Sequence, residues 1–166
     1  MESITHNLTA ILIQILCFIY FLFPLNIILA AIFAFFSHFL SDALSKLTYH
    51  TPEAMKKDKF WTFWHIIIYS ASIVVIIIFF IPFWLVLLSV NLPDIIDWFI
   101  LRPIQNRKKG KNPGSEWNEN YIFHQITDWI RKKLFFWLPD LTYKKYGIIN
   151  ELLVITLLSF LIWLYI

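Results

Sequence analysis

The sequence predicts an all-α, polytopic membrane protein. One domain, residues 1–166, would hold five transmembrane helices (two proline-turn hairpins and a C-terminal span) plus an amphipathic interfacial helix. Three observations predict it. Hydrophobic residues make up 59% of the chain and charged residues 15%, against about 45–50% and 25% in soluble domains. The apolar residues lie in long runs. The two longest runs are each interrupted by a proline, Pro24 and Pro82.

The first run goes from Leu8 to about Leu40. As one helix it would be roughly 50 Å long at 1.5 Å per residue, against a hydrocarbon core of about 30 Å. It therefore reads as a hairpin. One span covers about residues 5–23, the chain turns at Phe23-Pro24-Leu25-Asn26, and a second span covers 25–47. Pro24 suits a helix start, where no backbone N–H is needed. Either Thr5 or Asn7 is a candidate N-cap for the first span. The polar link TPEAMKKDK follows, with Thr51-Pro52-Glu53 as a candidate helix start. Residues 60–81 and 83–101 then repeat the hairpin around Pro82.

Polar residues recur at matching distances from the two turns. His6 stands 18 residues before Pro24, and His38 and Asp42 stand 14 and 18 after it. His65 stands 17 before Pro82, and Asp94 and Asp97 stand 12 and 15 after it. Equal distances from a turn mean similar depth along antiparallel helices; the pattern reads either as an internal duplication or as the polar ends that any two apolar hairpins show.

Beyond Leu101 comes a basic stretch whose Gly110, Pro113 and Gly114 argue against regular structure. Residues 117–136 form the interfacial helix. Ile122, Ile126, Trp129, Ile130 and Leu134 make its apolar stripe, and Arg131, Lys132 and Lys133 its basic end. Residues 148–166 are the fifth span.

Five spans place all 14 Lys and Arg residues on the side of the N-terminus. The positive-inside rule makes that side cytoplasmic, with the C-terminus opposite, in a multi-pass cell (inner) membrane protein. The net charge of +3 is then lipid topology and does not indicate a nucleic-acid partner. No basic residue precedes the first run and no small-x-small site follows it, so no cleavable signal is expected. The single Cys17 excludes an intrachain disulfide and reads as a small lipid- or core-facing residue. No glycine-rich phosphate loop, paired CxxC or nucleophile elbow occurs.

Candidate chemistry lies at the cytoplasmic ends of the spans. His38 and Asp42 are four residues apart and share a helix face. An imidazole and a carboxylate there suit a divalent cation such as zinc, with manganese or iron as alternatives; they also suit a hydrogen bond closing a helix contact. Asp94 and Asp97 share a face at i, i+3. In an apolar setting two acids need a cation or a proton between them, unless they cap a helix end near water. His124 and Asp128 repeat the i, i+4 pair on the interfacial helix, where a solvated face is the other reading. His6 opens the first span. His50 is either a further ligand or a loop residue. His65 reads as an interfacial aromatic beside Trp61 and Trp64, with a ligand role as the alternative.

The motifs ITHNL, SHFLSDALSKLTYHTPE and LPDIIDW resemble those of the bacterial and archaeal integral-membrane proteins called metal-dependent hydrolases. The resemblance covers about a quarter of the chain. It implies a zinc-like site with His6, His38, Asp42, Asp94, Asp97 and His124 as metal residues, and hydrolysis of a phosphoester. Asp128, or a carboxylate of the site, would act as base. The chain departs from the family pattern in having Trp98 after Asp97 and FHQITDW in place of a His-Arg-Gly-x-Thr-His stretch, and in its motif order. A lipid or lipid-linked phosphoester reached from the inner leaflet is the expected substrate, drawn by the basic residues of 107–111 and 131–133. Two other classes stay open: an ion- or proton-relay transporter, and a structural membrane protein with a His/Asp clasp.

Overall fold

A computed structural model describes residues 1–51, 55, 57–104 and 122–166. These residues form α1 (Ser3–Tyr20), α2 (Leu25–Leu44), a 3₁₀ turn (Ser45–Leu47), α3 (Lys59–Asp94), a π-helical segment (Ile95–Leu101), α4 (Phe123–Leu134) and α5 (Gly147–Tyr165), with no strand among them. Four helical stretches among them are long and apolar enough to cross a membrane: Ser3–Tyr20, Leu25–Leu47, Lys59–Ile104 and Gly147–Tyr165.

Pro24 ends the first turn region and is the N-cap of α2. The helix that follows buries Ala30, Ala34 and Ala43 against its neighbours. Small side chains here let backbones approach closely, the role that glycine would otherwise play.

Helix α3 consists of two helical arms that meet at a kink, as Pro82 suggests: Phe83 alone leaves helical geometry (φ −123°, ψ 15°). That single residue reverses the chain. The Asn7 amide donates to Ser72 Oγ at 2.9 Å, and its carbonyl accepts from Asn91 Nδ2 at 2.8 Å. In an unbroken helix residues 72 and 91 would be roughly 28 Å apart. One side chain reaches both only because the arms 59–82 and 84–94 lie side by side. Gln14 Nε2 donates to the Pro82 carbonyl at 2.8 Å, satisfying a backbone oxygen at the fold.

Helix α3 begins at Lys59, beside the expected start at 60. Asp58 is its N-cap, accepting from the N–H of Phe60 and Trp61; the candidate start at Thr51-Pro52-Glu53 involves Pro52 and Glu53, which lie outside the described residues. Those N–H groups, the Phe60 one foremost, hold the Asp58 carboxyl below its ordinary value. The cap's contribution is complete above the unfolded aspartate pKa of about 3.9 and is lost as pH falls through the lower folded value. Thr5 and Asn7 are not caps of α1; both are buried within it, and the N-cap is Glu2.

The core lies where α1, α2 and both arms of α3 meet, around Ile11, Val86 and Val90. Cys17 and Trp64 belong to it, so Trp64 is a core residue and not the belt residue expected. The outer surface is apolar: Leu22, Phe36, Ile77, Ile81 and Trp163 are all exposed. Helix α5 is apolar almost all round and buries only Gly147, Glu151 and Ile162. Such surfaces are compatible with a membrane protein.

Helix α4 covers 123–134 of the expected 117–136; the loop motif with Gly110, Pro113 and Gly114 and the first residues of the expected helix fall outside the described residues. Its apolar stripe points outward, with Ile122, Ile126, Trp129 and Leu134 exposed. Its opposite face turns His124, Thr127, Asp128 and Arg131 toward a cavity. That i, i+3, i+4, i+7 spacing is one helix face, here polar inside and apolar outside.

Candidate metal centre

A cavity of about 690 Å³ lies where α1, α2, the end of α3 and α4 converge; Glu2, His6, Asp42, Asp94, His124 and Arg131 are among its walls. Asp42 is at its centre. Its Oδ1 lies 2.9 Å from His6 Nε2, and its Oδ2 lies 3.2 Å from His38 Nε2 and 3.9 Å from His124 Nε2. Asp94 Oδ1 lies 3.6 Å from His38 Nε2 and 3.5 Å from His124 Nε2. Two overlapping groups, His6/His38/Asp42 and Asp42/Asp94/His124, each bring three ligand atoms within 4.8 Å of one another. The four elements contribute one or two side chains each, so tertiary packing and not a local motif assembles the group.

The rings of His6 and His38 stack with centroids 4.5 Å apart. Both residues are buried, and among the described residues His6 Nδ1 and both ring nitrogens of His38 have no well-aligned hydrogen-bond partner. Buried polar atoms left in this way are costly. His38 Nε2 lies between two carboxylates, Asp42 and Asp94, a position that either a ring proton or a divalent cation could bridge.

Asp97 has a different job from Asp94. It accepts from the backbone N–H of Ile122, Phe123 and His124 at 3.0–3.2 Å, and its Oδ2 lies 2.8 Å from His124 Nδ1. The carboxylate is fully buried. It caps α4, docks it on the bundle and fixes the orientation of the His124 ring. An Asp on the outer nitrogen of a His whose other nitrogen faces a cation is a common supporting arrangement. Expected as a metal residue beside Asp94, it lies against the other nitrogen of the same ring: Asp97 reaches His124 Nδ1 and Asp94 lies by Nε2.

Arg131 ties the other end of α4 to α2. Its Nη2 donates to the Asp42 carbonyl at 2.8 Å and to Ser45 Oγ at 3.1 Å, and its Nη1 to Asp128 Oδ1 at 3.2 Å. Asp128, the expected base, is therefore ion-paired at the cavity wall, about one-third exposed at 37%.

Sequence reasoning missed two buried carboxylates. Glu2 Oε1 lies 3.4 Å from His50 Nδ1 and 3.9 Å from His65 Nε2. Glu151 Oε1 accepts from the Glu2 N–H at 3.1 Å and from the Thr5 hydroxyl. His65 is buried, stacked on Trp61 at 4.0 Å, and faces inward instead of sitting in an interfacial belt. For Glu151 a signal existed: it is the one carboxylate within the last apolar run, and an ionisable residue in such a run is a functional candidate by default.

Comparison with protein families, curated proteins and solved structures returns no match. The reading of the site therefore stands on its own chemistry.

Proposed function

We propose that the chain crosses the cell (inner) membrane five times, with the cavity at the cytoplasmic face and the C-terminus opposite, and that it is a metal-dependent hydrolase of a lipid or lipid-linked phosphoester. The observation that carries the reading is the convergence of His6, His38, Asp42, Asp94 and His124, from four elements, in two overlapping groups that share Asp42. An intramembrane group of this cost is seldom kept without a function. The fold at Phe83 supports five crossings instead of four, since each arm of α3 is a separate transit. The outward apolar stripe of α4 supports placement at the interface.

His6, His38, Asp42, Asp94 and His124 would hold one or two divalent cations, zinc first by donor type and manganese or iron next. Such a cation supplies Lewis acidity and makes water acidic enough to ionise near neutral pH. The chain's own residues do the rest. Asp97 keeps His124 aimed. Arg131, anchored on Asp42 and Ser45, presents guanidinium charge at the wall, suited to a phosphoryl oxygen. Asp128, held by Arg131, is placed to accept a proton at a carboxylate oxygen. His124, Thr127, Asp128 and Arg131 of α4 line the cavity, so a headgroup would enter from the interface while its chains stay in lipid. The short-motif resemblance to the integral-membrane metal-dependent hydrolases points the same way.

The test is elemental analysis of the detergent-purified chain beside His38→Ala/Asp94→Ala, followed by turnover of phosphoester lipids. Wild type should carry at least one equivalent more zinc, manganese or iron than the double variant. Equal metal content after reconstitution would overturn the reading and leave a structural clasp, which loses stability but no metal.

A further inference from the structure

We propose that the end of α4 and the segment after it, residues 132–146, form a docking surface for anionic phospholipid headgroups, separate from the cavity. The proposal rests on the membrane placement argued above and not on the hydrolase chemistry.

Two kinds of side chain meet on this stretch. Leu134, Phe136, Trp137, Tyr143 and Tyr146 are exposed, and so are Lys132, Lys133, Lys144 and Lys145. Aromatic rings of this kind belong to the headgroup level of a bilayer, where one side meets lipid and the other water. Lysines among them add a sign. Their alkyl stems lie along apolar surface while their ammonium groups reach the headgroups. Lys133 stands four residues after Trp129, on the outward face of α4. Lys145 Nζ lies 3.7 Å from Asp58 Oδ2, and Asp140 Oδ1 accepts from the Thr142 N–H. Lys132, Lys133 and Lys144 reach no carboxylate among the described residues. The charge left over is positive, and it selects a headgroup with net negative charge.

The stretch is held in place by its own backbone. The Leu141 N–H donates to the Lys46 carbonyl at 2.7 Å, which ties it to the turn after α2. The Lys144 and Gly147 N–H groups donate to the Leu141 and Lys144 carbonyls, each at 2.8 Å, and lead it into α5. Trp137 Nε1 donates to the Leu134 carbonyl at 3.1 Å. Its indole, 68% exposed, therefore lies against acyl chains without a bare donor. The apolar stripe of α4 precedes the stretch and the apolar α5 follows it, so lipid adjoins it at both ends. A soluble acidic partner would use the lysines but leave these apolar and aromatic side chains uncovered. Each lysine near an anionic bilayer surface strengthens attachment about fivefold.

The experiment uses the full chain in detergent, titrated with dibrominated phosphatidylglycerol or dibrominated phosphatidylcholine, whose bromines quench nearby tryptophan. Each protein is read against its Trp137→Phe partner, so that the difference is the signal of Trp137. In wild type, phosphatidylglycerol should quench at a concentration at least about tenfold lower than phosphatidylcholine, and high salt should remove most of that preference. Lys132→Gln/Lys133→Gln/Lys144→Gln should bring the two lipids together, with circular dichroism and metal content unchanged, because all three side chains are exposed. Equal quenching by both lipids in wild type, or a preference that survives the triple variant, overturns the proposal and leaves the membrane placement and the hydrolase reading standing. Quenching by neither lipid overturns the proposal and the interfacial placement together. The preference should persist in His38→Ala/Asp94→Ala; its loss there, in a variant that still folds, would put the anionic lipid in the cavity and overturn the docking surface.

Discussion

The cavity holds two groups of histidines and carboxylates built in opposite ways. The first, around Asp42, uses spacings that a helix makes visible: His38 and Asp42 at i, i+4, and His124 on a helix face of its own. The second, around Glu2, uses one residue from each of three places, and no local pattern announces it. Helical periodicity reveals residues that share an element. It is silent about residues that meet only because the chain folds twice at proline turns.

The comparison can be broken from its strongest side first. His38→Ala/Asp94→Ala should lower phosphoester hydrolysis by about 10³-fold or more, since a lost cation forfeits several kcal/mol of charge stabilisation. Turnover assays beside far-ultraviolet circular dichroism check this, and retained activity would dissolve the distinction between the clusters. Asp97→Asn should weaken cation binding at the first group by roughly 10–100-fold, as loss of a supporting partner does, and leave the Glu2 group alone. A metal titration reads the weakening.

Gly147→Ala probes the other group. A Cβ on Gly147 would stand 2.7 Å from the Tyr49 backbone nitrogen and 2.8 Å from the Thr48 carbonyl carbon, so α5 must move away from the segment leading to His50. The expected cost is about 1–3 kcal/mol, the range for overpacking, with the His50–Glu2 contact loosened and cation binding at the His38 group little changed. Thermal unfolding reads the first effect and the metal titration the second. The mildest change is Asn7→Leu, which leaves Ser72 and Asn91 unbridged. It should cost about 1 kcal/mol and affect the two groups alike, visible as a lower midpoint in a denaturant series.

Much of the architecture was legible in the chain itself. The apolar runs, the two prolines and the concentration of His and Asp at one end all have direct physical meanings, and the structure brings His6, His38, Asp42, Asp94 and His124 together. What was not legible has equally physical reasons. Asp97 bonds His124 Nδ1 and the first N–H groups of α4, a long-range contact that spacing along one helix does not show. Glu2 belongs to no helical pattern, and its burial goes with the packing of α5 against α1, where its N–H meets Glu151. Trp64 and His65 look like membrane-belt aromatics by composition, yet their position on the inner side of α3 buries them.

The Asn7 amide, bonded at once to Ser72 and Asn91, also limits how this molecule can move. It keys α1 and the two arms of α3 to a common height. A piston-like slip of α1 by a helical turn, about 5.4 Å, would break both bonds, and a slip of either arm would break one. Vertical sliding is thus a poor way to admit a substrate. Helix α4 is pinned in the same way at its two ends, through Asp97 and Arg131, so the wall that carries His124 keeps a fixed place against the other helices.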